Sequence, residues 1–497
     1  MRLLRKRVTG GFTLIEVLVA VLLLAVGILG ALGTQLAALR TRQGSGLMSR
    51  GVQLASSLAE RMRANAGQML RDDLGNPYLQ LRYDAADGAP PPAPAQCYGA
   101  DRCSSAQLAQ FDIADTVAAL HALFPGGRIA VCRDAAVWDE SRRALAWECD
   151  GAAGAPVVIK LGWRARRADG AGRGADARHG CAMNPHAAAR RGWRQTGLTL
   201  VELLVALLLG LLVSLAAASV LVSAQTGYLA QGELAQVDEA GRFALDMIER
   251  AARQGAFVDL DREDAPPSPA SAAARIGGLD DHVLGGGAGI DSARAGGING
   301  SDVLALRFDG VGEGAEGDGS MLGCAGFGVG AGGEGWSIFY VAQAAGGEAE
   351  LRCKYRGQKN WRSDALVAGV DTFQVLYGLD TDAPADGLPN QYLSAGAINA
   401  LDAALALDGA SPAEREQDLR RKTHWKRVAS IKVALLLHGA RRGIPEREPQ
   451  AFDLFGAGYG GAADPGTRPD EARMPPSLRW RERRSFAATI VLRNAAL

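Results

Sequence analysis

Two long apolar runs set the frame of this chain. Phe12–Leu39 carries no charge except Glu16, and Leu198–Gln231 carries none except Glu202. Each is long enough to cross a bilayer as a helix, which takes about 20 residues. Beyond both runs the apolar spacing stays helical. Ala55, Leu58, Ala59 and Met62 mark one face after the first, and Val237, Ala240, Ala244, Ile248 and Ala251 mark one after the second. The pattern predicts a first helix ending near Leu70 and a second stopped at Gly255.

After each helix the pattern changes. In the first half, Asn76-Pro77 and the stretch from Gly88 to Pro94 break the chain, Gln107–Leu123 reads as a second helix, and Pro125-Gly126-Gly127 ends it. Strands are predicted at Arg128–Arg133, Ala144–Cys149 and Val157–Trp163, the last with Val157, Ile159, Leu161 and Trp163 alternating. In the second half they are predicted at Asp302–Phe308, Trp336–Val341, Glu350–Tyr355, Leu366–Tyr377, Val428–Leu437 and Ala487–Arg493, within a Gly- and Ala-rich background. The predicted fold class is α+β: two units, each a long amino-terminal transmembrane helix followed by an antiparallel β-sheet head.

Charge is local. The 54 basic and 54 acidic side chains cancel over 497 residues, so no global field points to nucleic acid or acidic substrates. Arg2, Arg5, Lys6 and Arg7 precede the first apolar run, and Arg190, Arg191 and Arg194 precede the second. Basic flanks hold both amino ends on the cytoplasmic side. A cleaved secretory signal is the alternative for the first run, but its apolar region is too long for one.

A lone acid in a membrane-length helix costs about 2.5 to 3.5 kcal/mol on insertion scales, so its recurrence at one register asks for a reason. Gly11-Phe12-Thr13-Leu14-Ile15-Glu16 returns as Gly197-Leu198-Thr199-Leu200-Val201-Glu202. The hexad resembles the prepilin processing site of type IV pilins and type II secretion pseudopilins. That resemblance implies cleavage by a membrane peptidase after Gly11 and Gly197, with Phe12 and Leu198 as methylated first residues. Glu16 and Glu202 would then meet the freed amine of a neighbouring subunit, each charge offsetting the other's desolvation. The bland alternative is a carboxylate favoured by the start of a helix and lying among headgroups.

The stretch Gln53–Asn65, with Cys103 ahead of a Gln-Leu-Ala helix, resembles PilV-like minor pilins. Val370–Asp382, with Asn390-Gln391-Tyr392 after it, resembles PilW-like ones. The expected organisation is a leader at 1–11, a first pilin helix at 12–70 and a PilV-like head at 71–163. A linker or read-through segment at 164–182 follows, then a second leader at 183–197, a second helix at 198–255 and a PilW-like head at 256–497. The second leader opens on Met183, as a joined reading frame would. Residues past the first helix belong in the periplasm, yet the second leader must face the cytoplasm for processing, so two adjacent reading frames joined into one is the expectation.

Six cysteines pair by position: Cys97 with Cys103 in a loop, Cys132 with Cys149 on neighbouring predicted strands, and Cys324 with Cys353 in the second half. A zinc site using His121 is the alternative, though its spacing matches no common pattern. Asp380, Asp382, Asp386 and Asn390 faintly resemble a calcium loop, against the plainer reading of a solvated acidic turn. Gly328, Gly330 and Gly333 match a dinucleotide fingerprint without a βαβ frame. Arg420, Arg421, Lys422, His424, Trp425, Lys426 and Arg427 form a basic run readable as a nucleic-acid patch or as a polar lead into a strand.

No nucleophile–base pair, metal-binding histidine pair or phosphate loop stands out, so the reading is a non-enzymatic subunit without a cofactor. Its expected partners are other major and minor pilins, the prepilin peptidase and the inner membrane, with no nucleic acid. It is expected in the Gram-negative inner membrane with periplasmic heads, then in the pilus. The resemblance implies a minor pilin that starts or modulates pilus assembly. A type II secretion pseudopilin is the alternative, and a membrane-tethered binding protein or hydrolase a more distant one.

Overall fold

A computed structural model describes residues 26–27, 30, 33, 44–92, 94, 96–99, 102–141, 143–164, 200–259, 272–357, 360–442, 448–456, 458–459 and 464–494. The chain divides into two compact units, Met1–Leu47 with Ala165–Gly232, and Met48–Arg164 with Glu233–Leu497.

Within the first unit the described residues are helical. Most of the run Phe12–Leu39 lies outside them, whereas the second run forms the amino-terminal part of a 55-residue helix, Leu200–Gln254. Leu200, Val201, Leu204, Leu208, Leu211 and Leu215 on it are exposed. Taken over the described residues alone, no helix is long and apolar enough to cross a membrane.

The second unit holds both heads, so the separate sheet domains expected from the sequence are packed as one body. In the first head, helix α1 (residues 44–64) buries Leu58 and Met62. It stops at Asn65, and one further turn, α2 (Ala66–Met69), follows. Helix α3 (Ser105–Leu123) starts at a capping box in which Ser104 and Gln107 satisfy each other's backbone amides. Strands β1 (Arg82–Asp84), β2 (Arg128–Arg133) and β5 (Val157–Gly162) form an antiparallel sheet in the order β1-β2-β5.

The expected strand at Ala144–Cys149 is instead a two-residue hairpin, β3 (Trp138–Asp139) with β4 (Ala144–Leu145), that does not join this sheet. Lys160 accounts for the change. Its buried ammonium pairs with Asp134 and draws in the carbonyls of Ala146 (3.0 Å) and Glu148 (2.8 Å), which a ladder would otherwise have used.

The second head wraps two sheets around the carboxyl half of helix α4 (Leu200–Gln254). One sheet has the order β12-β11-β10-β9-β6, the other β14-β13-β15-β16. The first is built from β6 (Ile276–Leu279), β9 (Val303–Asp309), β10 (Glu334–Gln343), β11 (Ala349–Arg356) and β12 (Trp361–Ala368). The second is built from β13 (Val370–Leu379), β14 (Gln391–Leu393), β15 (Val428–Arg442) and β16 (Arg481–Val491). A small ribbon pairs β7 (His282–Leu284) with β8 (Ala293–Ala295), and helices α5 (Ala395–Ala403) and α6 (Pro412–Lys422) fill the connection before β15. Val237, Ala244, Ile248 and Ala251 of α4 are buried against Leu306, Phe339, Phe373, Val433 and Leu435.

The single strand expected at Leu366–Tyr377 is two strands in different sheets. Gly369 is the divider: its φ of +75° turns the chain between β12 and β13, and an added Cβ would lie 2.8 Å from the His438 carbonyl oxygen. We therefore expect Gly369→Ala to lower unfolding free energy by about 1–3 kcal/mol, through left-handed strain and the close backbone contact. Denaturant unfolding of the full chain in detergent checks this, and wild-type stability in the variant would show that the turn does not depend on glycine.

Candidate assembly interface

Every one of the ten residues of β13 is buried. A strand in a two-layer head exposes alternate side chains unless something covers its second face. Phe373, Val375 and Tyr377 face α4, while Leu376 packs with Tyr98, Leu108 and Phe111 of the first head. Strand β15 repeats the arrangement: Ile431, Val433 and Leu435 face α4, and Ala434 and Leu436 join the shared cluster with the first head. The cover is the first head together with the connection between β15 and β16, which supplies Leu454, Phe455 and Met474.

The seam begins at the Cys97–Cys103 disulfide, whose Cα atoms lie 5.6 Å apart. This short loop lies along β14, the edge of its sheet. Gly99 N–H donates to the Tyr392 carbonyl (3.0 Å), Tyr392 N–H to the Cys97 carbonyl (2.9 Å) and Cys103 N–H to the Asn390 carbonyl (2.8 Å). Tyr98 and Tyr392 form a parallel bridge. Strand addition of this kind satisfies an edge that would otherwise template other pairings.

Tyr98 anchors the centre. Its ring meets Phe111 and Tyr459 edge-on at 5.0 Å each, and its hydroxyl donates to the Phe455 carbonyl (2.9 Å) and accepts from Lys432 Nζ (2.8 Å). Lys432 sits in β15 with 3% of its surface exposed, a position that only paired charge makes tolerable. Asp115 of α3 supplies the counter-charge at 3.1 Å. Arg61 lies 2.7 Å from Asp115 and 3.6 Å from Asp112, and Asp112 accepts from the Tyr78 hydroxyl (2.6 Å). Two cations and two anions thus alternate through the seam.

The electrostatics follow from that order. Burial alone would raise the Asp115 carboxyl, yet Lys432 and then Arg61 hold it well below the usual carboxylate range. Asp112 is raised, by burial above all. Burial and then the Asp112 charge push the Tyr392 hydroxyl up to about 12. Farther along, Arg50 of α1 holds Asp238 of α4 through bonds of 2.8 and 2.9 Å, and Arg253 reaches Glu60 at 3.4 Å.

The residues singled out by motif lie elsewhere. Gly11, Phe12, Glu16, Gly197 and Leu198 fall outside the described residues, and Glu202 stands in the first turn of α4. The cysteines form Cys97–Cys103, Cys132–Cys149 and Cys324–Cys353, so these thiols are not free for zinc, and His121 instead bonds the Tyr83 hydroxyl at 2.6 Å. Asp380 accepts from the Asp382 and Gly387 amides and Asp386 from that of Leu388, while Asn390 donates to Asp382 and Arg427 stands 3.8 Å from Asp380. One carboxylate oxygen each of Asp380, Asp382 and Asp386 lies within 4.8 Å of the others, so the loop keeps the geometry of the calcium reading alongside its internal turn bonds.

Gly328 and Gly330 lie in a loop where backbone crosses backbone; a Cβ on Gly330 would fall 1.7 Å from the Gly314 carbonyl oxygen. The basic run is neutralised in place. Arg420 pairs with Glu416, Arg421 with Asp418, Lys422 with Asp408 and Asp418, and His424 with Asp402, while Trp425 is buried. Missed from sequence were Tyr98, Asp115 and Lys432. A lysine alternating with Val and Ala in a predicted strand was the one available signal.

Comparison with protein families finds three matches in chain order. Residues 6–32 match the prokaryotic N-terminal methylation motif, residues 33–114 match type IV pilin Tt1218, and residues 338–494 match type IV pilus-assembly protein W. No curated protein and no solved structure matches the chain.

The seam makes a pH-resolved expectation. Lys432→Met leaves Asp115 short of a partner and should cost about 3–5 kcal/mol at neutral pH, read from denaturant unfolding. Because Asp115 is depressed in the folded protein, its contribution is present above the ordinary carboxylate value of about 4 and fades as pH falls below it. Wild type should therefore lose stability on acidification below about pH 4 more steeply than Lys432→Met. Parallel acid slopes would show that the pair contributes nothing.

Proposed function

We propose that this chain, a fusion of two minor-pilin-like units that functions in the type IV pilus, enters the pilus as a preassembled pair of heads carried on two hydrophobic helices. The methylation-motif match followed directly by a type IV pilin match carries the reading. It gives the basic leader, the hexad and the apolar run a single purpose.

In this reading the peptidase cuts after Gly11 and Gly197, freeing amines at Phe12 and Leu198. Both helices anchor in the inner membrane, with α4 contributing its exposed leucines. Glu16 and Glu202 set the stagger against neighbouring pilins by meeting their terminal amines. The heads stay together after the second cut because the seam, not the intervening segment, joins them. The match to the pilus-assembly protein over much of the second head favours a pilus over a secretion pseudopilin. Starting or modulating assembly is the role this arrangement suits, with other pilins and the peptidase as partners.

Amino-terminal mass spectrometry of pilus fractions should find Phe12 and Leu198 as methylated first residues. Finding neither would sink the processing account. Glu16→Val and Glu202→Val should insert normally, since each removes an insertion cost of about 2.5–3.5 kcal/mol, yet be lost from sheared pili. Normal incorporation of both would remove the acids from the mechanism.

A further inference from the structure

A second group of acids, unused by the seam, gathers where the two sheets of the second head approach. Asp280 directly follows β6, Asp302 directly precedes β9, and Asp464 comes from the connection between β15 and β16. One carboxylate oxygen from each lies within 4.8 Å of the others. Asp302 and Asp464 are 2% and 7% exposed. Among the described residues, no lysine, arginine or histidine side chain forms an ion pair with any of the three. Elsewhere in this head buried acids have cationic partners: Asp371 has Arg483 and Asp309 has Arg275.

The scaffold holds each carboxylate in place. Asp280 accepts from the Ala395 and Gly396 amides at the start of α5 (2.8 and 2.7 Å), Asp302 from those of Asp281 and Val375 (3.2 and 2.8 Å), and Asp464 Oδ2 from the Tyr459 hydroxyl (2.7 Å). The other Asp464 oxygen, Oδ1, is buried and accepts nothing. It has company. The Tyr377 hydroxyl and the Gln374 amide oxygen are also buried without a partner. Tyr377 bears on Gly278, two residues before Asp280, and feels the charges of Asp302 and Asp280. Gln374 donates to the Gly300 carbonyl (2.7 Å) and lies against Gly466, between the segments that carry Asp302 and Asp464.

We propose that Asp280, Asp302 and Asp464 form a calcium site, with the unpartnered, buried Asp464 Oδ1 among its ligand oxygens. Every donor is oxygen, which selects a hard cation over zinc or copper. Calcium accepts six to eight oxygens at about 2.3–2.6 Å, so two ligands on one ion stand at most about 5 Å apart, as these do. The ion offsets a charge that the protein leaves unpaired. It also fixes the connection bearing Asp464, which presents Phe455 and Tyr459 to Tyr98, so calcium would firm the surface on which the first head rests.

The test uses the full chain in detergent micelles, stripped with EGTA and titrated with calcium chloride by calorimetry. We expect one saturable site in the roughly millimolar-or-tighter range of extracellular calcium modules, with a matching rise in the thermal midpoint. Asp464→Asn, close in shape, should weaken binding roughly tenfold or more. The double variant Asp382→Asn with Asp386→Asn, on the other acidic loop, should bind as wild type does. Absence of binding by the wild-type chain at roughly ten millimolar calcium overturns the site, whatever the variants do. So does unchanged affinity in Asp464→Asn, or loss of binding in the double variant.

Discussion

A lysine in the middle of a buried strand is the constraint on which the heads depend. Lys432 cannot be left in the second head alone, because desolvating an unpaired ammonium costs several kcal/mol after relaxation. Asp115 and the Tyr98 hydroxyl, which meet it at 3.1 and 2.8 Å, both belong to the first head. The second head therefore lacks a complete core without the first. The converse holds too: Asp112 and Asp115 face one arginine, and Lys432 restores the balance.

Around that contact the seam has the anatomy of a permanent interface. Tyr98, Phe111, Leu376, Leu436, Leu454 and Phe455 form an apolar centre, the Cys97–Cys103 loop supplies backbone pairing along a sheet edge, and Arg50 with Asp238 extends the contact to the helices. The disulfide matters through pre-organisation. It holds the edge-pairing residues in a short loop before docking, so less chain entropy is lost when they meet β14.

Much of the fold was legible because its elements obey one period at a time. The stripe from Val237 to Ala251 announced the buried face of α4, and alternation announced most long strands. Reading failed where tertiary contacts overrode the local signal. The run Leu366–Tyr377 is continuously strand-like, and only the backbone at Gly369 divides it. Ala144–Cys149 has strand composition, but Lys160 captures its carbonyls. The seam was hidden for a deeper reason: each partner residue is ordinary within its own half, and pairings separated by hundreds of positions leave no periodic trace. The two hexads were the reverse case, visible in sequence while Gly11–Glu16 and Gly197–Thr199 lie outside the described residues.

The seam also bears on whether the halves must remain one polypeptide. On the processing proposed above, the second leader faces the cytoplasm, yet residues 165–199 contain no apolar run able to recross a bilayer. Two separately inserted products meet that requirement easily. Joined or separate, the heads face the same task of association. With the helices anchored as proposed, confinement to one membrane and one orientation removes much of the translational and rotational cost that free proteins meet on binding. An interface with an apolar centre, a shared strand edge and a buried charge pair then suffices without a covalent tether, so the physical pairing of the heads depends on Tyr98 and Lys432 and is independent of how the reading frame is joined.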